Sequence, residues 1–124
     1  MRARVVALLL GVGLTACSSQ RAVRDEARQL TGGEPDRGLA AIGRYGCAAC
    51  HTIPGVRGAS ATVGPPLGGI ASRTYLAGQL ANSPDNMRRW IQQPQQVERG
   101  TAMPNMGVTD DDARDITAYL YTLR

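Results

Sequence analysis

Apolar residues along this chain fall into one unbroken block near the start and several spaced sets further on. The block, Val5 to Leu14, follows Met1-Arg2-Ala3-Arg4 and gives way to Thr15-Ala16-Cys17 and then to polar Ser18-Ser19-Gln20-Arg21. A basic start, a short apolar run and small residues before a break have the layout of an export signal. A membrane-spanning helix needs about 20 apolar residues, and the polar residues arrive too soon for one. From Ser18 to about Asp36 the chain is polar and charged, with a Gly32-Gly33-Glu34-Pro35 break. This predicts a tether with at most a short helix from Ala22 to Leu30, whose apolar residues are too few to bury a face.

The later sets follow helical spacing. Ser83-Pro84-Asp85 starts a helix as an N-cap, a proline at the first position and an acid next. Met87, Trp90 and Ile91 then share a face, and Pro94 ends the run. Thr109 is an N-cap with Asp112 three residues on, and Asp110 and Asp111 place negative charge in the first turn. Ile116, Tyr119, Leu120 and Leu123 make one apolar face of that helix, which is predicted to run to the end of the chain. Between them, Gly64-Pro65-Pro66-Leu67-Gly68-Gly69-Ile70 is a loop by composition.

Composition changes the picture in two ways. The chain has 124 residues, no Phe, one Trp, four Tyr and fifteen Gly, so a domain of roughly a hundred residues must build its centre with few aromatics. A buried flat apolar cofactor would supply the missing surface. All fourteen basic residues are Arg; without Arg2 and Arg4, twelve Arg stand against ten Asp plus Glu, or +2. These charges form no run or stripe, which excludes a nucleic-acid partner as the reading of the surface.

Cys47-Ala48-Ala49-Cys50-His51 carries the chemistry. Two thiols three residues apart at the end of a helix can reach the two vinyl groups of one haem. The adjacent His51 then lies under the iron. A thioredoxin-like dithiol and half of a zinc site share the Cys-x-x-Cys spacing. Zinc needs four ligands, and beyond these residues the chain has only Cys17 and no second His. The dithiol calls for a βαβ context, whereas the neighbourhood reads as helix, loop and helix.

Leu14-Thr15-Ala16-Cys17 resembles the lipobox of bacterial lipoproteins. The resemblance implies a signal peptide over 1–16, a lipidated Cys17 and a tether over 17–35; ordinary cleavage after Ala16, with Cys17 a stray thiol, is the alternative. Several acyl chains together anchor a protein firmly to a membrane.

From Asp36 to the end the chain resembles the class I cytochromes c. Asp36 to Gly46 looks like the family's first helix, with Gly38 and Ile42 on one face, and the family keeps a Gly here so that the last helix can cross closely. Asp115-Ile116-Thr117-Ala118-Tyr119-Leu120 resembles the closing motif, and Gly64-Pro65-Pro66-Leu67 resembles the segment whose Pro carbonyl accepts a hydrogen bond from the ligating His. That role falls to Pro65. Arg73 sits where relatives keep an Arg near a haem propionate, and Trp90 matches an aromatic packed on the haem. The chain departs from the better-known relatives in its short stretch between Arg73 and Ser83 and its lack of a second Trp, where Tyr75 replaces a propionate contact. Gly100-Thr101-Ala102-Met103-Pro104 resembles the sixth-ligand loop, which makes Met103 the axial ligand, with Met106 the rival sulfur.

The resemblance implies an all-α cytochrome c fold over 36–124, three to four helices round one covalently bound haem, with long loops. It implies an electron carrier without a small-molecule substrate, passing electrons between redox proteins such as a respiratory oxidase or dehydrogenase. The place implied is the periplasmic face of a bacterial membrane, with a lipid anchor. A haem enzyme or gas sensor whose Met103 dissociates, and a relay subunit inside a larger respiratory complex, are the alternatives.

Overall fold

A computed structural model describes residues 18–124; Cys17 and the export segment before it lie outside the described residues. Helix α1 covers residues 18–31. It is followed by α2 (Pro35–Arg44), α3 (Pro84–Gln92), α4 (Pro94–Val97) and α5 (Asp110–Leu120), with two short 3-10 turns at Cys47–Ala49 and Ile70–Ser72. The fold is therefore all-α. Among the described residues the one sheet is a hairpin of two-residue strands, β1 (Tyr75–Leu76) and β2 (Leu80–Ala81), in antiparallel register with Leu76 opposite Leu80.

The caps read from the sequence are the caps that form. Ser83 Oγ accepts the Asn86 N–H at 3.2 Å and Thr109 Oγ1 accepts the Asp112 N–H at 3.2 Å. Each supplies a partner that the first turn of its helix lacks. Pro94 ends α3 but also opens α4, because a proline costs nothing at a first helical position where its missing N–H would be unpaired anyway. The last helix stops at Leu120 rather than at the chain end. There Thr122 Oγ1 donates to the Tyr119 carbonyl at 2.6 Å, and the Leu123 carbonyl turns out to accept the Ala71 N–H at 3.1 Å.

Helices α2 and α5 pack extensively against each other. Gly38 permits the crossing: a Cβ there would fall inside 3.0 Å of the Asp115 carbonyl oxygen. The Asp115 side chain closes the same junction, accepting the Glu34 N–H at 2.7 Å and both Arg37 Nε and Nη2, at 2.6 and 3.0 Å. Ile42, Met87, Ile91, Ile116 and Leu120 from three helices meet Ile53 and Leu67 from the loops, Ile70 from the second 3-10 turn and Leu76 from β1 in one apolar core. Tyr119 reaches out of that core to donate to the Pro54 carbonyl at 2.6 Å, tying α5 to the loop beyond His51.

The segment expected as a tether is helical throughout residues 18–31 and docks on the body. Ala27 is 0 % exposed within the core, and Thr31 is buried. Arg24 pairs with Asp36, Arg28 with Glu34 at 2.8 Å, and Glu26 with Arg124 at 2.6 Å. Two small buried side chains plus flanking ion pairs take the place of a broad apolar stripe, which is why counting apolar residues misses it.

Candidate functional site

The site begins at the end of α2. Arg44 Nη2 and the Tyr45 hydroxyl donate to the two carboxylate oxygens of Asp112, at 2.6 and 2.8 Å, which staples this end to the first turn of α5. The Tyr45 hydroxyl, with Thr109 and Arg44 behind it, holds the Asp112 carboxyl below the usual range against the effect of burial. Gly46 then takes the left-handed conformation at φ 68°, breaking the helix. The chain tightens into the 3-10 turn Cys47–Ala49, where the Cys50 and His51 N–H groups both donate to the Cys47 carbonyl, at 3.2 and 3.1 Å. Both thiols and the imidazole thus leave from one turn.

Cys47 and Cys50 are half-buried and unpaired. Burial raises the Cys47 thiol pKa, the opposite of the depression that a redox dithiol uses to form a nucleophilic thiolate. Among the described residues, no group of three or more His, Cys, Asp or Glu could hold a metal ion together. His51 Nδ1 lies 2.7 Å from the Pro65 carbonyl oxygen. A carbonyl can only accept, so Nδ1 carries the proton and Nε2 keeps its lone pair for another partner. The ring is also held from behind: a Cβ on Gly64 would come inside 3.0 Å of three of its atoms, and the Gly64 N–H is pinned to the Cys50 carbonyl at 2.7 Å.

His51 opens onto a cleft of about 410 Å³. Cys47, Cys50, His51, Pro65, Arg73, Trp90, Thr101 and Met103, all singled out from the sequence, line this one cleft. Arg73 lines it with its guanidinium committed to the Pro66 carbonyl and, at 3.4 Å, to that of Gly68. Trp90 is half-buried. Thr101 Oγ1 accepts the Met103 N–H at 3.4 Å. Both methionines of the loop line the cleft, but Met106 is 44 % exposed while Met103 is half-buried. Cys17 lies outside the described residues.

Sequence reasoning missed Tyr45, Val63 and Leu76 as wall residues. Tyr45 precedes the Cys motif directly, which is a usable signal. Leu76 arrives through the hairpin, for which the sequence carries none. The residues present fit a c-type haem: two free thiols and one imidazole on a single turn, thioether sulfur on the same cleft, and walls of Leu67, Ile70, Leu76 and Trp90 for an apolar ring.

An all-α fold with a Cys-x-x-Cys-His turn opening on an apolar cleft defines the class of small c-type haem proteins. The chain belongs to the cytochrome c family, whose model matches residues 36–124. Haem-based electron transfer is what this family does. The chain is also similar to cytochrome c oxidase subunit 2 of Alkalihalophilus pseudofirmus, with 32 % identity over 97 residues, covering 73 % of this chain and 28 % of that protein. Cytochrome c oxidase subunit 2 of Bacillus sp. (strain PS3) is 27 % identical over 88 residues, covering 68 % and 25 %. The chain thus spans about a quarter of the length of these curated relatives.

Proposed function

We propose that the chain is an electron carrier with one haem, bonded to Cys47 and Cys50 and ligated by His51 and Met103. The observation that carries this is the opening of those four side chains onto one cleft, with His51 oriented by its bond to Pro65. When bound, the haem supplies a one-electron couple at its iron. The chain's residues do the rest. The Pro65 carbonyl fixes the His51 tautomer and makes Nε2 the better donor. Met103 offers a soft sulfur, which favours the lower oxidation state and raises the potential. With His51 and Met103 both holding the iron, no open position would be left for a substrate, so the reading is a carrier and not an enzyme. Trp90 and the aliphatic walls exclude water and disfavour extra charge.

Similarity to oxidase subunits supports a respiratory oxidase as the electron partner, with residues 36–124 as the domain that serves it. Residues 1–16 are read as the signal peptide and Cys17 as the lipid anchor, which puts the domain on the periplasmic face of a membrane. No helix among the described residues is long and apolar enough to cross a membrane.

Acid–acetone extraction of the purified protein, followed by mass spectrometry of the intact chain, tests the attachment. The haem is expected to stay on the chain, one per molecule, and Cys47→Ala or Cys50→Ala to weaken its retention. Complete release from the unmodified protein overturns the covalent reading. A haem enzyme or sensor with a dissociating Met103 predicts carbon monoxide binding by the ferrous protein, where the carrier predicts none.

A further inference from the structure

Among the described residues, one side chain makes the hydrogen bonds that tie the loop of Met103 to a neighbouring element. Gly100 and Gly107 bound the loop, at φ 80° and 66°. No regular structure lies between them. Within it, Met103 N–H bonds Thr101 Oγ1 at 3.4 Å and Gly107 N–H bonds Asn105 Oδ1 at 3.0 Å, both local. Thr101 N–H reaches only back to the Glu98 carbonyl at 3.3 Å. The other hydrogen bonds of this stretch among the described residues go to Gln95 on α4. Its Nε2 donates one hydrogen to the Thr101 carbonyl at 2.7 Å and the other to the Met103 carbonyl at 2.9 Å, while its Oε1 accepts the Gly100 N–H at 3.3 Å. The post it stands on is itself fixed: Pro94 is buried, and Gln79 Nε2 donates to the Val97 carbonyl at 3.0 Å from the hairpin side.

We propose that Gln95 is the positioning residue for the sixth ligand, its carboxamide clamping the main chain on both sides of the Met103 side chain so that the sulfur stays aimed into the cleft. The inference rests on the reading of Met103 as that ligand. The bonds are exposed, so removing them strands no buried group. The loss is one of order: a Gly- and Pro-rich loop regains conformations in which Met103 points elsewhere. An incoming ligand then meets a larger fraction of chains in the binding-competent state, and its apparent affinity rises by that factor.

The probe is imidazole, titrated at fixed pH into the ferric holoprotein. Gln95→Ala and Gln95→Glu are each expected to lower its apparent Kd roughly tenfold, the scale of one or two lost neutral hydrogen bonds. The exposed neighbour variant Gln96→Ala should leave it unchanged. Amide exchange gives a readout that does not involve the iron. Gly100 exchange should speed up about tenfold in Gln95→Ala but stay near the parent rate in Gln95→Glu, which keeps the acceptor and loses both donors. Unchanged imidazole affinity in both Gln95 variants, with a large rise in Met103→Ala, overturns the clamp and spares the ligand assignment. No change in Met103→Ala overturns the ligand assignment, and the clamp falls with it. Unchanged Gly100 exchange in Gln95→Ala overturns the clamp whatever the iron ligand.

Discussion

Gly38 lies directly against the backbone of Asp115, its missing side chain leaving the space that the Asp115 carbonyl fills. Helix propensity alone would favour alanine at position 38 by about 1 kcal/mol. The contact reverses the sign, because backbone cannot swing aside as a flexible side chain does. Gly38→Ala is expected to destabilise the domain by about 2 kcal/mol, measured by urea unfolding. A variant as stable as the parent would show that α2 and α5 do not need this approach.

Asp115 predicts a pH dependence. Burial pushes its pKa up, but the two Arg37 bonds and the Glu34 N–H outweigh that and hold the carboxyl below its ordinary value. A depressed carboxyl adds stability above its unfolded pKa of about 3.9, and that stability is lost as pH falls through the folded value. Asp115→Asn should therefore cost about 2 kcal/mol at pH 7 and progressively less below about pH 4. Unfolding curves for parent and variant that stay equally far apart down to about pH 2 would contradict this.

Gly64 backs the His51 ring with no room for a Cβ, whereas a Cβ on Gly68 would meet only Pro54 Cγ at an ordinary 3.4 Å. Gly64→Ala is expected to push the imidazole off its bond to Pro65 and weaken its ligation roughly tenfold, the usual cost of disturbing a ligand's support. Gly68→Ala should not. Acid titration of the optical spectrum compares them, and equal behaviour would refute the difference.

The proposed ligand set gives the two loop methionines different expectations. Met103→His should keep a filled coordination shell and lower the potential, because imidazole is the stronger donor to ferric iron. Met106→Leu, a swap that conserves volume, should cost under about 1.5 kcal/mol of stability and leave the spectrum unchanged. Loss of the Met–Fe(III) band in Met106→Leu, with Met103→Leu sparing it, would assign the sixth position to Met106.

Cys17→Ala should move the protein from the membrane to the soluble periplasmic fraction with its haem spectrum unaltered. Retention of the variant on membranes after a salt wash would mean another anchor.

The cytochrome c family and the gathering of Cys47, Cys50 and His51 on one cleft were legible from the sequence, because the motif that carries them is local and its spacing leaves few other readings. Ser83 and Thr109 were legible as caps because capping is a local exchange of hydrogen bonds. The hairpin was not. Its strands have two residues each, and the turn puts Ala77 at φ 49° beside Gly78 at φ 72°, so half of the usual left-handed signal is carried by a residue that does not advertise it. Gln95 was equally silent, since a glutamine among Pro94, Gln96 and Gly100 reads as solvated loop until its three partners are seen.

The docking of α1 changes what an attachment at Cys17 would do to the body. Helix α1 is continuous from residue 18 to Ala27, which is sealed in the core, so the stretch between them is a rod of about 14 Å and not a leash. A rod transmits orientation. With a lipid on Cys17, such a strut would set the distance between the body and the membrane surface and narrow the range of directions from which a partner could be met.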